Sequence, residues 1–127
     1  MSNAIAIVER NRSALADLAS VLRGTRYDTR SIESQHPIKD ATRIAPRGWR
    51  AMVVALDEGD DVADVRSLVE TLGDTPLLLR AVTKPPSAAV ARVARRLEAN
   101  IIGTDEPPIV VVATLVAILA PSRGLAC

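Results

Sequence analysis

Short apolar runs alternate with segments of helical periodicity along the whole chain, and this alternation limits the possible folds more than any other feature. Three runs predict buried strands, at residues 4–8, 51–56 and 77–79. Two weaker runs, at residues 27–32 and 101–102, continue the pattern. Each run is followed by a predicted helix. Strands that alternate with helices predict an α/β fold, in which helices cover both faces of a parallel sheet.

The predicted helices begin and end at residues that favour helix boundaries. Ser13 is expected to cap the first helix, Pro37 to begin the second and Gly73 to end the third. The last two helices are predicted at residues 85–99 and about 107–120. Five strand–helix units with right-handed crossovers favour a flavodoxin-like, doubly wound, five-stranded parallel sheet of order 2-1-3-4-5.

Charge and cysteine content restrict the class of protein. The chain has 16 basic and 15 acidic residues, and a formal charge of +1 argues against direct binding of nucleic acid. The single cysteine, Cys127, cannot form an internal disulfide, so we expect a cytoplasmic protein, with one domain over residues 1–127. The longest apolar run, residues 109–120, is shorter than the ~20 residues that span a bilayer. The first residues do not have the pattern of a signal peptide.

Three stretches carry a resemblance to a known family. Residues 7–12 read Ile-Val-Glu-Arg-Asn-Arg, residues 52–57 read Met-Val-Val-Ala-Leu-Asp, and residues 76–79 read Pro-Leu-Leu-Leu. In order and spacing these stretches match three strands of the receiver domain of bacterial response regulators, which the chain resembles over nearly its whole length. The resemblance implies that Asp57 stands at the position of the phospho-accepting aspartate.

The remaining groups of a receiver pocket are mostly replaced. In the family, acids after the first strand hold Mg²⁺, a hydroxyl follows the fourth strand and a lysine the fifth. By resemblance, Glu9 keeps one acid, Arg10 stands in place of the second, Ala81 replaces the hydroxyl and Glu106 replaces the lysine. A negative charge at position 106 would oppose a phosphate on Asp57. The resemblance therefore implies a pseudo-receiver, for which we expect no cofactor and at most an impaired Mg²⁺ site.

Two features of the pocket have alternative interpretations. Arg10 is predicted to lie beside Asp57 and to take the place of the metal ion; the alternative is that its side chain turns into solvent. Lys84, followed by two prolines, resembles the lysine–proline signature of the fifth strand. That register would remove one strand–helix unit, so we prefer to place Lys84 after the fourth strand, from where it could still reach the pocket.

The last predicted helix points to a partner. Residues 109–120 are apolar on all sides, whereas a surface helix normally has a polar face. We predict a homodimer, or contact with an output domain, through Val112, Val116 and Leu119. In the alternative, this β-branched run is partly strand.

Three functions remain open. The first is a non-enzymatic signalling or assembly module that acts by protein contacts, as pseudo-receivers do in some transcription regulators and pilus-assembly ATPases. The second is an ordinary receiver phosphorylated on Asp57. The third is a small flavodoxin-like ligand-binding protein, which the lack of a glycine-rich phosphate loop disfavours. For Glu58, Asp60, Asp61 and Asp64, a solvated acidic loop with charges at a helix N-terminus is a simpler interpretation than a metal site.

Overall fold

One five-stranded parallel sheet organises the protein. The computed structural model describes residues 3–56, 62–81, 100–103 and 108–119. The strands are β1 (Ala4–Glu9), β2 (Asp28–Glu33), β3 (Ala51–Leu56), β4 (Leu77–Ala81) and β5 (Asn100–Gly103). Their order is β2-β1-β3-β4-β5, and every neighbouring pair is parallel. The predicted fold class, strand order and central strands are therefore confirmed.

Four helices lie among the described residues. They are α1 (Arg12–Leu22), α2 (Pro37–Ile44), α3 (Val62–Leu72) and α4 (Pro108–Leu119), and a 3₁₀ turn, Ala45–Arg47, follows α2. Gly73 has a φ of 60° directly after α3, as a glycine that ends a helix commonly does. The helix predicted at residues 85–99 lies outside the described residues.

The cap of α1 differs from the prediction. The side-chain oxygen of Asn11 accepts a hydrogen bond from the amide of Ala14 at 3.1 Å, so Asn11, and not Ser13, is the N-cap. Asn11 sits in an extended conformation just before the helix, which is the position from which a short polar side chain reaches the free amides of the first turn. Ser13 lies inside the helix instead.

Two apolar layers follow from the period of two along each strand. Ala6, Val8 and Val54 pack on one face of the sheet with α2 and α3. Ile5 and Val53 pack on the other face with α1 and α4. All six residues of β1 and of β3 are buried because both faces of the sheet are covered, which is why residues 4–8 and 51–56 read as unbroken apolar runs.

The position of α4 shows that the predicted interface is partly wrong. Val112 and Leu119 are buried against α1 and the sheet, in the chain's own core, so they cannot present a surface to a partner. Val116, which is 47% exposed, and Ile109, which is 61% exposed, point outward. The run is helical from Pro108 onward, so the alternative of a partial strand is wrong. No helix in the described part of the chain is long and apolar enough to cross a membrane.

Candidate functional site

The carboxyl ends of the strands meet at one edge of the sheet, where open α/β folds place their ligands. Glu9 is the last residue of β1, and Ala81 ends β4 opposite Leu56 of β3. Asp57 directly follows Leu56 in sequence. The backbone therefore brings the position predicted for a hydroxyl, Ala81, to the end of the strand that precedes Asp57. Three predicted pocket residues lie outside the described residues: Asp57, Lys84 and Glu106.

A buried ion pair occupies this edge. The Arg80 guanidinium donates from Nη1 to Oε2 of Glu9 at 2.6 Å, and the two side chains are only 6% and 7% exposed. The other carboxylate oxygen, Oε1, accepts the backbone amide of Arg10 at 3.1 Å. Both oxygens of Glu9 are thus engaged by groups of the chain itself.

The strand register explains how two residues that are 71 positions apart meet. Val8 of β1 pairs with Val54 of β3, so the next residues along the two strands, Glu9 and Ala55, lie side by side. Ala55 in turn pairs with Arg80 of β4. These three residues therefore share one face of the sheet. The backbones of β1 and β4 are about 10 Å apart, twice the spacing of neighbouring strands. Ala55, between them, presents only a methyl group, and this leaves a path for the long arginine side chain to cross β3.

Burial makes this pair a fixed element of the edge. An ion moved out of water loses several kcal/mol of solvation, which a partner recovers only with good geometry and further hydrogen bonds. The Nε atom of Arg80 is buried and has no hydrogen-bond partner within the described part of the chain. The pair is therefore incompletely satisfied, and removal of either charge would leave the other one buried alone.

The described residues do not fit a Mg²⁺ site of the receiver type. Mg²⁺ binds through carboxylates and water, but the only carboxylate from the end of β1, that of Glu9, is paired with a guanidinium. An ion beside Glu9 would meet the positive charge of Arg80 at close range. Among the described residues no group of three metal-ligating side chains comes together.

Arg10 reaches the loop that follows β2. Its side chain is exposed, and Nη2 donates to the backbone oxygen of Gln35 at 2.9 Å. This contact holds the guanidinium near the carboxyl edge. The contact predicted between Arg10 and Asp57 involves an aspartate outside the described residues and stays a prediction.

Sequence reasoning missed Arg80. The predicted fourth strand, residues 77–79, stops one residue short of Arg80. In the structure, β4 continues through Arg80 to Ala81. The available signal was an arginine at the end of a buried strand, an acid at the end of another, and the alanine at position 55 between them.

Comparison with solved structures identifies the fold as that of response-regulator receiver domains. A CheY-like response regulator from Mesorhizobium loti matches with a TM-score of 0.74 at 16% identity, over 94% of this chain and 99% of that one. The pilus assembly protein CpaE from Caulobacter crescentus matches with a TM-score of 0.73 at 14% identity, over 91% and 92%. A response regulator from Burkholderia pseudomallei, solved with a phosphorylated aspartic acid and a calcium ion, matches with a TM-score of 0.68 at 19% identity, over 98% and 72%. No protein-family model and no curated protein matches the sequence.

Proposed function

We propose that this chain is a receiver-like signalling module that works in the cytoplasm through protein contacts rather than through efficient phosphorylation of Asp57. The buried pair of Glu9 and Arg80 is the observation that carries this proposal. It uses the one acid that the end of β1 retains. A phosphoryl group on Asp57 would add negative charge without a metal ion to neutralise it. The module would have no catalytic activity of its own.

The names of two proteins with similar structures support a role in assembly or signalling. One structural relative is a pilus assembly protein and another is a CheY-like response regulator. The outward face of α4 is the contact surface that we propose, with Ile109 and Val116 as its large apolar residues and a second copy or an output domain as its partner.

Incubation with acetyl phosphate and Mg²⁺, followed by intact-mass measurement, tests the loss of phosphorylation. We expect only trace addition of a phosphoryl group to the parent chain. Asp57→Asn sets the background, and a receiver domain of known activity verifies the donor. Near-complete addition to the parent that disappears in Asp57→Asn would overturn the proposal and establish an active phosphoacceptor.

A gain-of-function variant provides the converse test. Arg10→Asp supplies the second acid, and Arg80→Val frees Glu9 from its partner. We expect the double variant to bind Mg²⁺ in calorimetry and Arg10→Asp alone to bind little, because Arg80 still engages Glu9. Circular dichroism verifies that each variant is folded. Equal Mg²⁺ binding by the parent would show that the ion pair does not exclude the metal.

A further inference from the structure

A second surface lies along β2, at the open side of the sheet. β2 is an edge strand that pairs only with β1 among the described strands. The amides of Asp28 and Ser34 donate to the backbone of Asn3 and Glu9, on the β1 side. The amide and carbonyl of one residue point to the same side of a strand, and successive residues alternate. The backbone groups of Thr29 and Ser31 therefore face the open side.

A cavity flanks β2 on each face of the sheet. The cavity on the α2 face has a volume of about 740 Å³, and Arg30, Arg47 and Trp49 contribute to its lining. The cavity on the α1 face has a volume of about 390 Å³. Two arginines and a tyrosine contribute to its lining: Arg23, Arg26 and Tyr27. Thr29 and Ser31 line both cavities, so the two open on the same stretch of edge backbone.

The charge of this surface is strongly one-sided. Four arginines line the two cavities against a single carboxylate, that of Asp28, although the whole chain has a net charge of only +1. Within the described part of the chain, Arg23, Arg30 and Arg47 form no ion pair. Nearby arginines also lower the pKa of Tyr27, with a hydrogen bond from Arg26 as the largest cause. The surface therefore favours an anionic ligand.

The aromatic rings favour a peptide over a nucleic acid. Single-stranded nucleic acids bind by stacking bases on free ring faces. Trp49 is half-buried and its indole nitrogen donates to the backbone oxygen of Ile44 at 2.9 Å. The Arg26 guanidinium already covers the Tyr27 ring, 5.5 Å from its centroid. Neither ring is an open stacking platform, whereas no described strand pairs with the outer edge of β2.

We infer that β2 binds an extended acidic segment of a partner protein, which adds to the sheet as a further strand. Backbone groups of Thr29 and Ser31 would hold the segment, and its alternate side chains would enter the two cavities. Each cavity is lined by two arginines, and successive side chains of a strand point to opposite faces of the sheet. A segment with carboxylates at successive positions would therefore place one in each cavity. Neither cavity is lined by Glu9 or Arg80, and the inference does not depend on the function proposed above.

Fluorescence anisotropy with a labelled oligoglutamate of about eight residues, a length above that of a typical strand, tests the inference. We expect the parent chain to bind it, and Arg30→Glu to weaken binding at least about tenfold. The matched control is Arg66→Glu, a reversal at an exposed arginine of α3 that lines neither cavity, and it should leave affinity nearly unchanged. Ser31→Pro should also weaken binding, because it removes an amide that faces the open side.

A change in the peptide separates strand addition from simple charge attraction without altering the protein. An oligoglutamate methylated on its backbone nitrogens keeps its charge but cannot donate to β2, and it should not bind. Equal binding of this methylated peptide, an equal loss in Arg30→Glu and Arg66→Glu, or no binding of oligoglutamate at millimolar concentration would each overturn the inference. Tighter binding of oligothymidylate than of oligoglutamate would overturn it in favour of a nucleic-acid surface.

Discussion

The carboxyl edge of the sheet and the open side of β2 both carry arginines, but the surroundings of the guanidinium groups differ. At the carboxyl edge, Arg80 is buried and bound to Glu9. Along β2, Arg30 and Arg47 are exposed and have no ion-pair partner in the described chain. A buried charge requires a partner, whereas water screens exposed like charges at small cost. The first edge is therefore neutralised internally, and the second keeps its charge available for a ligand.

The same difference separates two ion pairs within the molecule. The Glu9–Arg80 pair is almost fully buried, whereas the side chains of Arg12 and Glu33 are 85% and 42% exposed around a 3.0 Å contact. Exposed pairs contribute little because water and salt screen both charges. Breaking a buried pair from one side is costly because the other charge stays out of water.

Glu9→Gln gives the largest expected effect. It keeps the shape of the side chain but leaves the Arg80 guanidinium buried without a counter-charge, and we expect the free energy of unfolding to fall by about 3–5 kcal/mol. Glu33→Gln, the matched change in the exposed pair, should lower it by less than about 1 kcal/mol. Urea denaturation measures both values. Equal losses would remove the distinction between the two pairs.

A double replacement verifies the cause. Glu9→Leu with Arg80→Leu removes both charges from the buried edge, and the double variant should recover most of the stability that Glu9→Gln loses. If the double variant is as unstable as Glu9→Gln, the loss comes from packing around position 9 and not from the unpaired charge.

Most of the described fold could be predicted because its central strands are buried on both faces of the sheet and therefore have a clear sequence pattern. Residues 4–8 of β1 and all of β3 appear as unbroken apolar runs for this reason. β2, at the edge, has a mixed pattern of exposed and half-buried residues, and its prediction was shifted by one residue at each end. The helix α4 is apolar on every side, so its sequence could not show which residues face the core. This is why Val112 and Leu119 were wrongly assigned to an interface.

The candidate site was predicted only in part. The position of Glu9 at a strand end follows from the apolar run before it. Its pairing with Arg80 depends on the register of three strands and on the small size of Ala55, and none of these is visible as a local pattern. The cluster along β2 was missed for the same reason, since its arginines come from three separate parts of the chain: the segment between α1 and β2, β2 itself, and the 3₁₀ turn after α2.

Thr29→Val tests a buried side chain of β2 and has a smaller expected effect. The Thr29 hydroxyl oxygen is buried without a partner in the described residues, so an isosteric methyl group should raise the free energy of unfolding by about 1 kcal/mol. Thr25→Val is the matched control, because that hydroxyl donates to Leu22 at 2.7 Å and accepts from Tyr27 at 3.3 Å. It should lower stability by about 1 kcal/mol.

The two threonine variants also bear on ligand binding. Thr29→Val should leave binding of oligoglutamate nearly unchanged while it stabilises the free protein, because the buried hydroxyl is out of reach of the ligand. Thermal and chemical denaturation give the stability, and anisotropy gives the affinity. Loss of stability in Thr29→Val would mean that its hydroxyl already has a favourable partner, and the contrast between the two threonines would disappear.

The smallest predicted effect concerns Tyr27, which reports the positive field beside β2. A hydrogen bond and the charge of Arg26, together with smaller contributions from Arg50, lower the pKa of Tyr27 from its ordinary value of 10.0, against the opposing effect of burial. Arg26→Gln should therefore raise this pKa, and added salt should raise it in the parent by screening the arginine charges. Because the pKa is lower in the folded state, ionisation adds stability as pH rises from the folded toward the unfolded value, and this contribution is lost as pH falls through the folded pKa. The chain has one tyrosine, so the ultraviolet absorbance of the phenolate measures this group directly. An unchanged or lower pKa in Arg26→Gln, with Arg66→Gln as the control for a distant charge, would mean that the arginines beside β2 do not act on Tyr27.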